Sequence, residues 1–306
     1  MIKNVEKAVE KGRNLTTLQD VLAQGKSMLG YPSARSAQLD AQVLLCYVLG
    51  IERAMLYAYP EQEISLLQEK QYFTLIARRK QHEPVAYLTG HKEFYGLDFI
   101  VDKRVLIPRP ETELLVETSL EVIKRSIAGG HMPVVADIGT GSGAIPIAIA
   151  VEEPRLPYIY ATDSSAEALE VARLNCLQHQ VTEQVRLLQD DLVSLLPEPV
   201  DLLLANLPYV GTDEVDGLPL DIRLYEPHQA LFGGPGGLDL LRRLGEEVHH
   251  IGVLKPAGVL LLEIGYQQRG ELTHFLHDLW PSATIICRQD NAGFDRLLQV
   301  ETSIIE

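Results

Sequence analysis

Two rhythms of hydrophobic and polar positions divide this chain. Up to about residue 85 the apolar positions recur at helical spacing. Thr16-Thr17 is a helix-start signal ahead of LQDVLAQGKSMLG, and Gly30 is its stop. Ser36 opens AQLDAQVLLCYVLG, which places Leu39, Val43, Leu44, Tyr47 and Val48 on one face before Gly50. Ser65 opens a third segment through Leu66, Leu67, Phe73, Ile76 and Ala77 to Arg79. The pattern predicts a small helical domain over 1–85. Over 86–112 the texture changes. HKEFYGLDFIVD alternates around Gly96 and predicts a β-hairpin. VLIPRPETE then leads into the helix ELLVETSLEVIKRS, with Pro110 near its first turn and Glu111 and Glu113 at its positive end. From 113 to 306, apolar strands alternate with helices. The strands are PVVADIG, YIYATD, VRLLQD, VDLLLAN, GVLLLEIG, ATIICRQ and FDRLLQVE, and the helices include GAIPIAIAVEE, SAEALEVARLNCLQH and LDLLRRLGEEVHHI. Continuous apolar strands between helices predict an α/β fold with a doubly wound, mostly parallel seven-stranded sheet. In such sheets ligands bind beyond the carboxyl ends of the strands, where the strand order reverses.

Composition narrows the function classes. At 306 residues the chain suits one large and one small domain. No apolar run reaches the roughly 18 residues of a membrane span, and MIKNVEKAVEKGRN lacks the apolar core of a signal peptide. A cytosolic protein without membrane partners is expected. Cys46, Cys176 and Cys287 lie far apart with no metal-ligand spacing, so neither a disulfide framework nor a metal site is expected. The net charge of −15 weighs against a nucleic-acid partner, because phosphate neutralisation normally requires a basic stripe.

Candidate chemistry sits at the ends of the predicted strands. The first ends in Asp137-Ile138-Gly139-Thr140-Gly141-Ser142-Gly143, where glycines permit a sharp turn and close approach of a ligand. No phosphate-loop lysine follows, so a nucleoside triphosphate is not expected. Asp137 suits an amino group better than a pyrophosphate. Asp163 ends the second strand about two dozen positions on, where a carboxylate can accept both ribose hydroxyls of an adenosine; capping the next helix is its plainer alternative. Asp190 and Asp191 close the third strand and either meet an adenine amino group or are simply solvated, with Leu192 beside them. The fourth strand ends in Asn206-Leu207-Pro208-Tyr209. Alone, this is an ordinary strand-ending turn. In this order after the other two sites, it resembles the [DNS]-P-P-[YFW] tetrapeptide of enzymes that methylate planar nitrogens.

The wider chain is similar to one such family. PVAYLTGHKEFYGLDFIVDKRVLIPRPETELLVE, DIGTGSGAIPIAIA, ATDSSAEALEVARLN, EPHQALFGGPGGLDLLRRL, LEIGYQQ and AGFDRLLQVE resemble the release-factor glutamine methyltransferases (HemK/PrmC), a family of class I S-adenosylmethionine-dependent methyltransferases. The resemblance runs from about Leu18 to near the end. It implies S-adenosylmethionine as cofactor, held by Asp137, Gly139, Thr140, Gly141, Ser142, Gly143, Asp163, Asp191, Leu192 and Asn206. It implies the glutamine of the GGQ loop in peptide-chain release factors as substrate, and a docking role for residues 1–85. The family usually has Asn-Pro-Pro-Tyr; here Leu207 takes the second place. What that place supplies is a backbone carbonyl, and Pro208 still holds Leu207 extended.

On this reading the Asn206 side-chain oxygen and the Leu207 carbonyl accept the two hydrogens of the target NH2, and the Tyr209 ring packs on the amide plane. GGPGG at 233–237 is expected to be a mobile loop beside the substrate. Arg109, Glu111, Glu113 and His228 are open between site and scaffold. Two rivals stand: a DNA or RNA amino-group methyltransferase, which shares the Asn–x–Pro–Tyr logic, and a non-catalytic scaffold that binds the cofactor.

Overall fold

A computed structural model describes residues 16–30 and 34–303; MIKNVEKAVEKGRN lies outside the described residues. The chain divides into two compact units between Thr89 and Gly90.

The first unit is helical: α1 Leu18–Leu29, α2 Ala34–Leu49, α3 Arg53–Ala58, α4 Leu66–Lys80 and α5 Val85–Thr89. Thr17 and Ser65 each close a capping box, with Asp20 and Gln68 respectively, which satisfies amide groups that a helix start leaves bare. Gly30 ends α1 at φ +59°. Helix α2 starts at Ala34, two residues before the expected Ser36. Leu18, Val21, Leu44, Leu45, Tyr72 and Ile76 form the core. The Tyr72 ring reaches α1 only because position 25 is glycine; a Cβ there would sit 2.0 Å from the phenol oxygen.

The second unit opens with an antiparallel hairpin, β1 His91–Phe94 and β2 Leu97–Ile100. Then follow α6 Glu113–Ala128, β3 Val135–Ile138, α7 Ala144–Glu152, β4 Ile159–Asp163, α8 Ala166–Gln178, β5 Val185–Gln189 and β6 Val200–Ala205. The chain finishes with α9 Leu220–Tyr225, α10 Asp239–Ile251, β7 Leu254–Glu263, α11 Arg269–Leu279, β8 Thr284–Gln289 and β9 Asp295–Glu301. All seven expected strands join one sheet in the order β5-β4-β3-β6-β7-β9-β8. It is parallel from β5 to β7, and β9 runs antiparallel to both its neighbours. The β6 residues Leu202, Leu203 and Leu204 are fully buried, as expected of a strand covered on both faces.

The chain winds outward from β3 through β4 to β5, then returns to place β6 on β3's other side. The crevice therefore opens at the carboxyl ends of β3, β4 and β6. Asn175 of α8 ties the hairpin to the glycine turn: its side chain pairs with both backbone groups of Ile100 and donates to the Ser142 carbonyl at 2.9 Å. Among the described residues no helix is long and apolar enough to cross a membrane, and no group of three or more His, Cys, Asp or Glu is placed to hold a metal ion.

Candidate active site

A cavity opens at that crevice. Its wall takes Gly139, Thr140, Gly141 and Ser142 from the turn after β3, Asp163 from the end of β4, and Asp191 and Leu192 from beyond β5. Asn206, Leu207 and Pro208 from beyond β6 complete that side, while Arg109, Thr112, Gln229 and Ala230 border it from loops. Asp137, Gly143 and Tyr209 are not on this wall.

The glycine turn is shaped by its own amides. Gly139 N and Thr140 N both donate to the Thr162 carbonyl, and Gly143 N donates to Thr140 O. Gly141 N donates to Asp163 Oδ2 at 2.8 Å. With these N–H groups turned inward, the turn offers bare Cα surface. At Gly139, φ is +75° and a Cβ would lie 2.7 Å from Leu207 Cδ2, so the Leu207 side chain packs across the space that glycine leaves. At Gly141 an added Cβ would meet nothing within 4 Å. Gly143 faces the other way, toward Ile147 of α7 and Ala172 of α8. Its reason is helix packing, which corrects its assignment as a cofactor contact.

Asp163 is engaged by two backbone amides. Its Oδ1 accepts from Ser165 N at 2.9 Å and its Oδ2 from Gly141 N, and each oxygen keeps a second lone pair for a diol. Ser165 itself caps α8. Burial pushes the Asp163 carboxyl upward, opposed by these two N–H groups. Asp190 is buried, and its own loop occupies it through the Ser194 hydroxyl and Leu195 N, both at 2.6 Å. The exposed Asp191 pairs with Arg243 at 2.6 Å. Leu192, which lines the cavity, stands at φ +70°, a left-handed conformation costing a non-glycine residue about 1–2 kcal/mol.

Asp137 is 0% exposed, and both its carboxylate oxygens lack a hydrogen-bond partner, as does the buried Thr140 hydroxyl. Burial pushes its carboxyl up to about 7; the neighbouring Thr140 opposes the shift without a well-formed hydrogen bond, and the Asp163 charge adds to it. It lies behind the turn, not on the wall. The alternation of β3 side chains forces this, since Asp137 points into the covered sheet.

At the tip of β6, Asn206 Nδ2 donates to Thr112 Oγ1 at 3.0 Å, which presents Oδ1 as the free acceptor. Among the described residues no donor reaches Oδ1 or the Leu207 carbonyl. The next carbonyl but one is occupied, because Gln268 Nε2 donates to Tyr209 O at 2.7 Å and also to Gly236 O. Pro208 is half-buried. The Tyr209 ring is packed with the sheet core, and its hydroxyl donates to Glu263 Oε1 at 3.2 Å. Burial, then the Glu263 charge, raises that hydroxyl's pKa. The structure thus corrects the expected stacking platform: Tyr209 anchors the tetrapeptide from behind.

The glycine-rich loop is likewise not a free flap. Gly233 N donates to Val210 O, a Cβ at Gly233 would fall 2.2 Å from Pro208 O, and one at Gly237 would fall 1.9 Å from Tyr209 O. The loop is packed onto the backbone of the tetrapeptide. Arg109 reaches the buried Glu226 at 2.5 Å, and Glu226 also accepts from Ile107 N. Glu113 accepts from Tyr95 N in the hairpin turn. His228 bonds the Arg223 carbonyl and stacks edge-on against Phe232. Thr112, Glu226, Glu263 and Gln268 were not singled out from sequence. Their partners lie far along the chain, 94 residues away for Thr112 and 117 for the Glu226–Arg109 pair, so no local spacing marks them.

Comparison with known proteins agrees with this architecture. Residues 20–90 match the PrmC N-terminal domain and residues 112–218 the methyltransferase small domain. A release factor glutamine methyltransferase from Koribacter versatilis is 39% identical over 92% of this chain and 97% of its own. The enzyme of the same name from Moorella thermoacetica is 41% identical over 82% of this chain and 87% of its own. A solved methyltransferase from Pyrococcus furiosus shares the fold at 19% identity, with TM-score 0.51 over 76% of this chain and 98% of that one. By identity and coverage, the chain belongs to the release factor glutamine methyltransferase family.

Proposed function

We propose that this protein, acting in the cytoplasm, methylates the side-chain amide nitrogen of the glutamine in the GGQ motif of peptide-chain release factors, with S-adenosylmethionine as donor. One observation carries the reading: two neutral oxygens, Asn206 Oδ1 and Leu207 O, stand unengaged beside the cavity that the glycine turn and Asp163 line. The relatives' printed names supply the release factor. The match of residues 20–90 to the PrmC N-terminal domain supports a docking role for the helices before residue 86.

The residues present fit the donor. Bare Cα surface at Gly141 leaves room for it, Asp163 has lone pairs for a ribose diol, and the partnerless Asp137 carboxylate suits a positively charged ligand nearby. When bound, S-adenosylmethionine supplies an electrophilic methyl carbon on a sulfonium. The protein's own task is to make a poor nucleophile competent. An amide nitrogen's lone pair is delocalised into its carbonyl. Accepting both N–H groups, at Asn206 Oδ1 and Leu207 O, fixes the amide plane and raises electron density on nitrogen. The gain comes mainly from orientation, since effective molarities of about 10⁵–10⁸ M are reachable this way. Both acceptors are neutral, so neither retains the proton that the methylated nitrogen sheds; it passes to water.

The test is incubation of the purified protein with labelled donor and a release factor, followed by peptide mass mapping. Label on the GGQ glutamine is the expected outcome, and Asn206→Ala should remove most of it while calorimetry shows donor binding largely intact. Label in DNA or RNA, or no turnover at all, would overturn the proposal.

A further inference from the structure

Helix α11 begins with a residue whose side chain does not serve it. Gln268 is its N-cap, yet makes no side-chain capping bond to the helix. Serine, threonine, aspartate and asparagine are favoured there because their short side chains reach the bare amides of the first turn, and glutamine is not among them. The side chain reaches elsewhere. Gln268 Nε2 donates to Tyr209 O at 2.7 Å and to Gly236 O at 3.0 Å, while Oε1 accepts from Gly265 N at 2.8 Å. Two carbonyls require the nitrogen and one N–H requires the oxygen, so the amide has a single orientation and no N–H to spare. Its main chain is fixed as well, since Gln268 N donates to Gly265 O and Gln268 O accepts from Leu272 N.

These partners flank the two acceptor oxygens of the clamp. Strand β6 ends at Ala205, and the tetrapeptide beyond it has to be held by other means. On one side Asn206 is held by Thr112. On the other, Val210 N donates to Leu231 O and Val210 O accepts from Gly233 N. Between them Pro208 has no N–H to give, and the Leu207 carbonyl has to stay open for substrate. The Tyr209 hydroxyl is anchored at Glu263, but that bond acts at the far end of the ring. Gln268 holds the main chain itself, two residues from the Leu207 carbonyl, and ties the glycine-rich loop to the same point. Its own NH2 is gripped by two neutral oxygens, the arrangement that the clamp offers to a target glutamine.

We infer that Gln268 is a positioning residue: by holding the main chain at Tyr209 and the loop at Gly236 together, it fixes the Leu207 carbonyl for the target amide. Gln268 itself is not on the cavity wall. The role rests on the glutamine-methylation reading proposed above. It deepens that reading by assigning the geometry of the clamp to a residue outside the cavity.

The experiment compares Gln268→Glu and Gln268→Ser with wild type in the full-length protein. It measures kcat and KM on a release factor, donor Kd by calorimetry, and the melting midpoint. Gln268→Glu preserves shape and the acceptor for Gly265 N but turns an oxygen toward two carbonyls. Gln268→Ser gives up all three bonds and supplies α11 with a favoured cap, which separates the stability of the helix from the hold on the tetrapeptide. Each variant should lower kcat about 10- to 100-fold, as misplacement of a reacting group does. Donor Kd and the KM for release factor should stay within about threefold of wild type, and Gln268→Ser should melt within about 4 °C of it. A kcat within about twofold of wild type in either folded variant would overturn the inference. So would a donor Kd that weakens in step with kcat, or a larger fall in the melting midpoint of Gln268→Ser, since both mark a general loosening of the fold. If one variant does not fold, kcat and donor Kd of the other decide. Wild-type protein that fails to methylate the release factor would instead sink the functional reading itself.

Discussion

Asp137 offers the sharpest test of the electrostatics. Its carboxyl is wholly buried and partnerless, and burial pushes it up to about 7, against about 3.9 in an unfolded chain. In the folded protein it holds its proton to higher pH, so its contribution to stability is fully present below about pH 4. That contribution is lost as pH rises to about 7. Three units at 1.36 kcal/mol each make the loss roughly 4 kcal/mol. Asp137→Asn removes this dependence but leaves an amide equally short of partners, at a cost of about 1–3 kcal/mol. At pH 8 the variant should therefore be more stable than wild type by about 1–3 kcal/mol. Near pH 4, where only the amide's cost remains, it should be less stable than wild type by about 1–3 kcal/mol. Denaturant titrations followed by circular dichroism at several pH values read the difference directly. The same substitution should weaken binding of the proposed cationic donor by roughly tenfold, about 1.4 kcal/mol, since an ionised Asp137 attracts it across a low-dielectric turn. A stability difference between variant and wild type that stays constant from pH 4 to pH 8 would refute the reasoning. Glu263, also pushed to about 7 by burial, contributes the same trend independently, so the variant's own slope should flatten without vanishing.

Other outcomes follow from the same geometry. Asp163→Ala should weaken donor binding about 100-fold by calorimetry, since hydrogen bonds to a charged acceptor contribute about 1.5–3 kcal/mol each; unchanged affinity would remove its ribose role. Gly141→Ala, whose methyl group enters open space on the cavity wall, should impair binding more than folding. Gly143→Ala, whose methyl group meets Ile147 and Ala172, should do the reverse, and thermal melts beside binding isotherms separate the two. In the helical unit, Tyr72→Phe deletes a buried hydroxyl with no partner and should leave stability unchanged or raise it by about 1 kcal/mol; a comparable loss would refute this.

Strands were legible because each is an apolar run bounded by turn residues, and a sheet covered on both faces demands such runs. The crevice followed from their order, and Gly139–Ser142, Asp163, Leu192 and Asn206–Pro208 do meet on one wall. What sequence could not show was direction and distance. Asp137 and Tyr209 sit within motifs whose neighbours face the cavity, yet each points into the sheet's packing, because side chains near a strand end alternate and burial wins. Glu263 reads as one polar residue closing an apolar strand, and its hydrogen bond with Tyr209 exists only after β6 and β7 pair. Helix α11 has no side-chain cap, so its start carried little signal.

The packing of residues 233–237 on the tetrapeptide has a consequence for anyone scanning this protein by mutation. Side chains at 233 and 237 are refused by the carbonyls of Pro208 and Tyr209, so substitutions there displace the strand tip from outside. In an activity screen these glycines will score alongside Asn206, though they line no part of the cavity. Sensitivity at such positions measures how rigidly a backbone is braced, and only a separate binding assay tells bracing from contact.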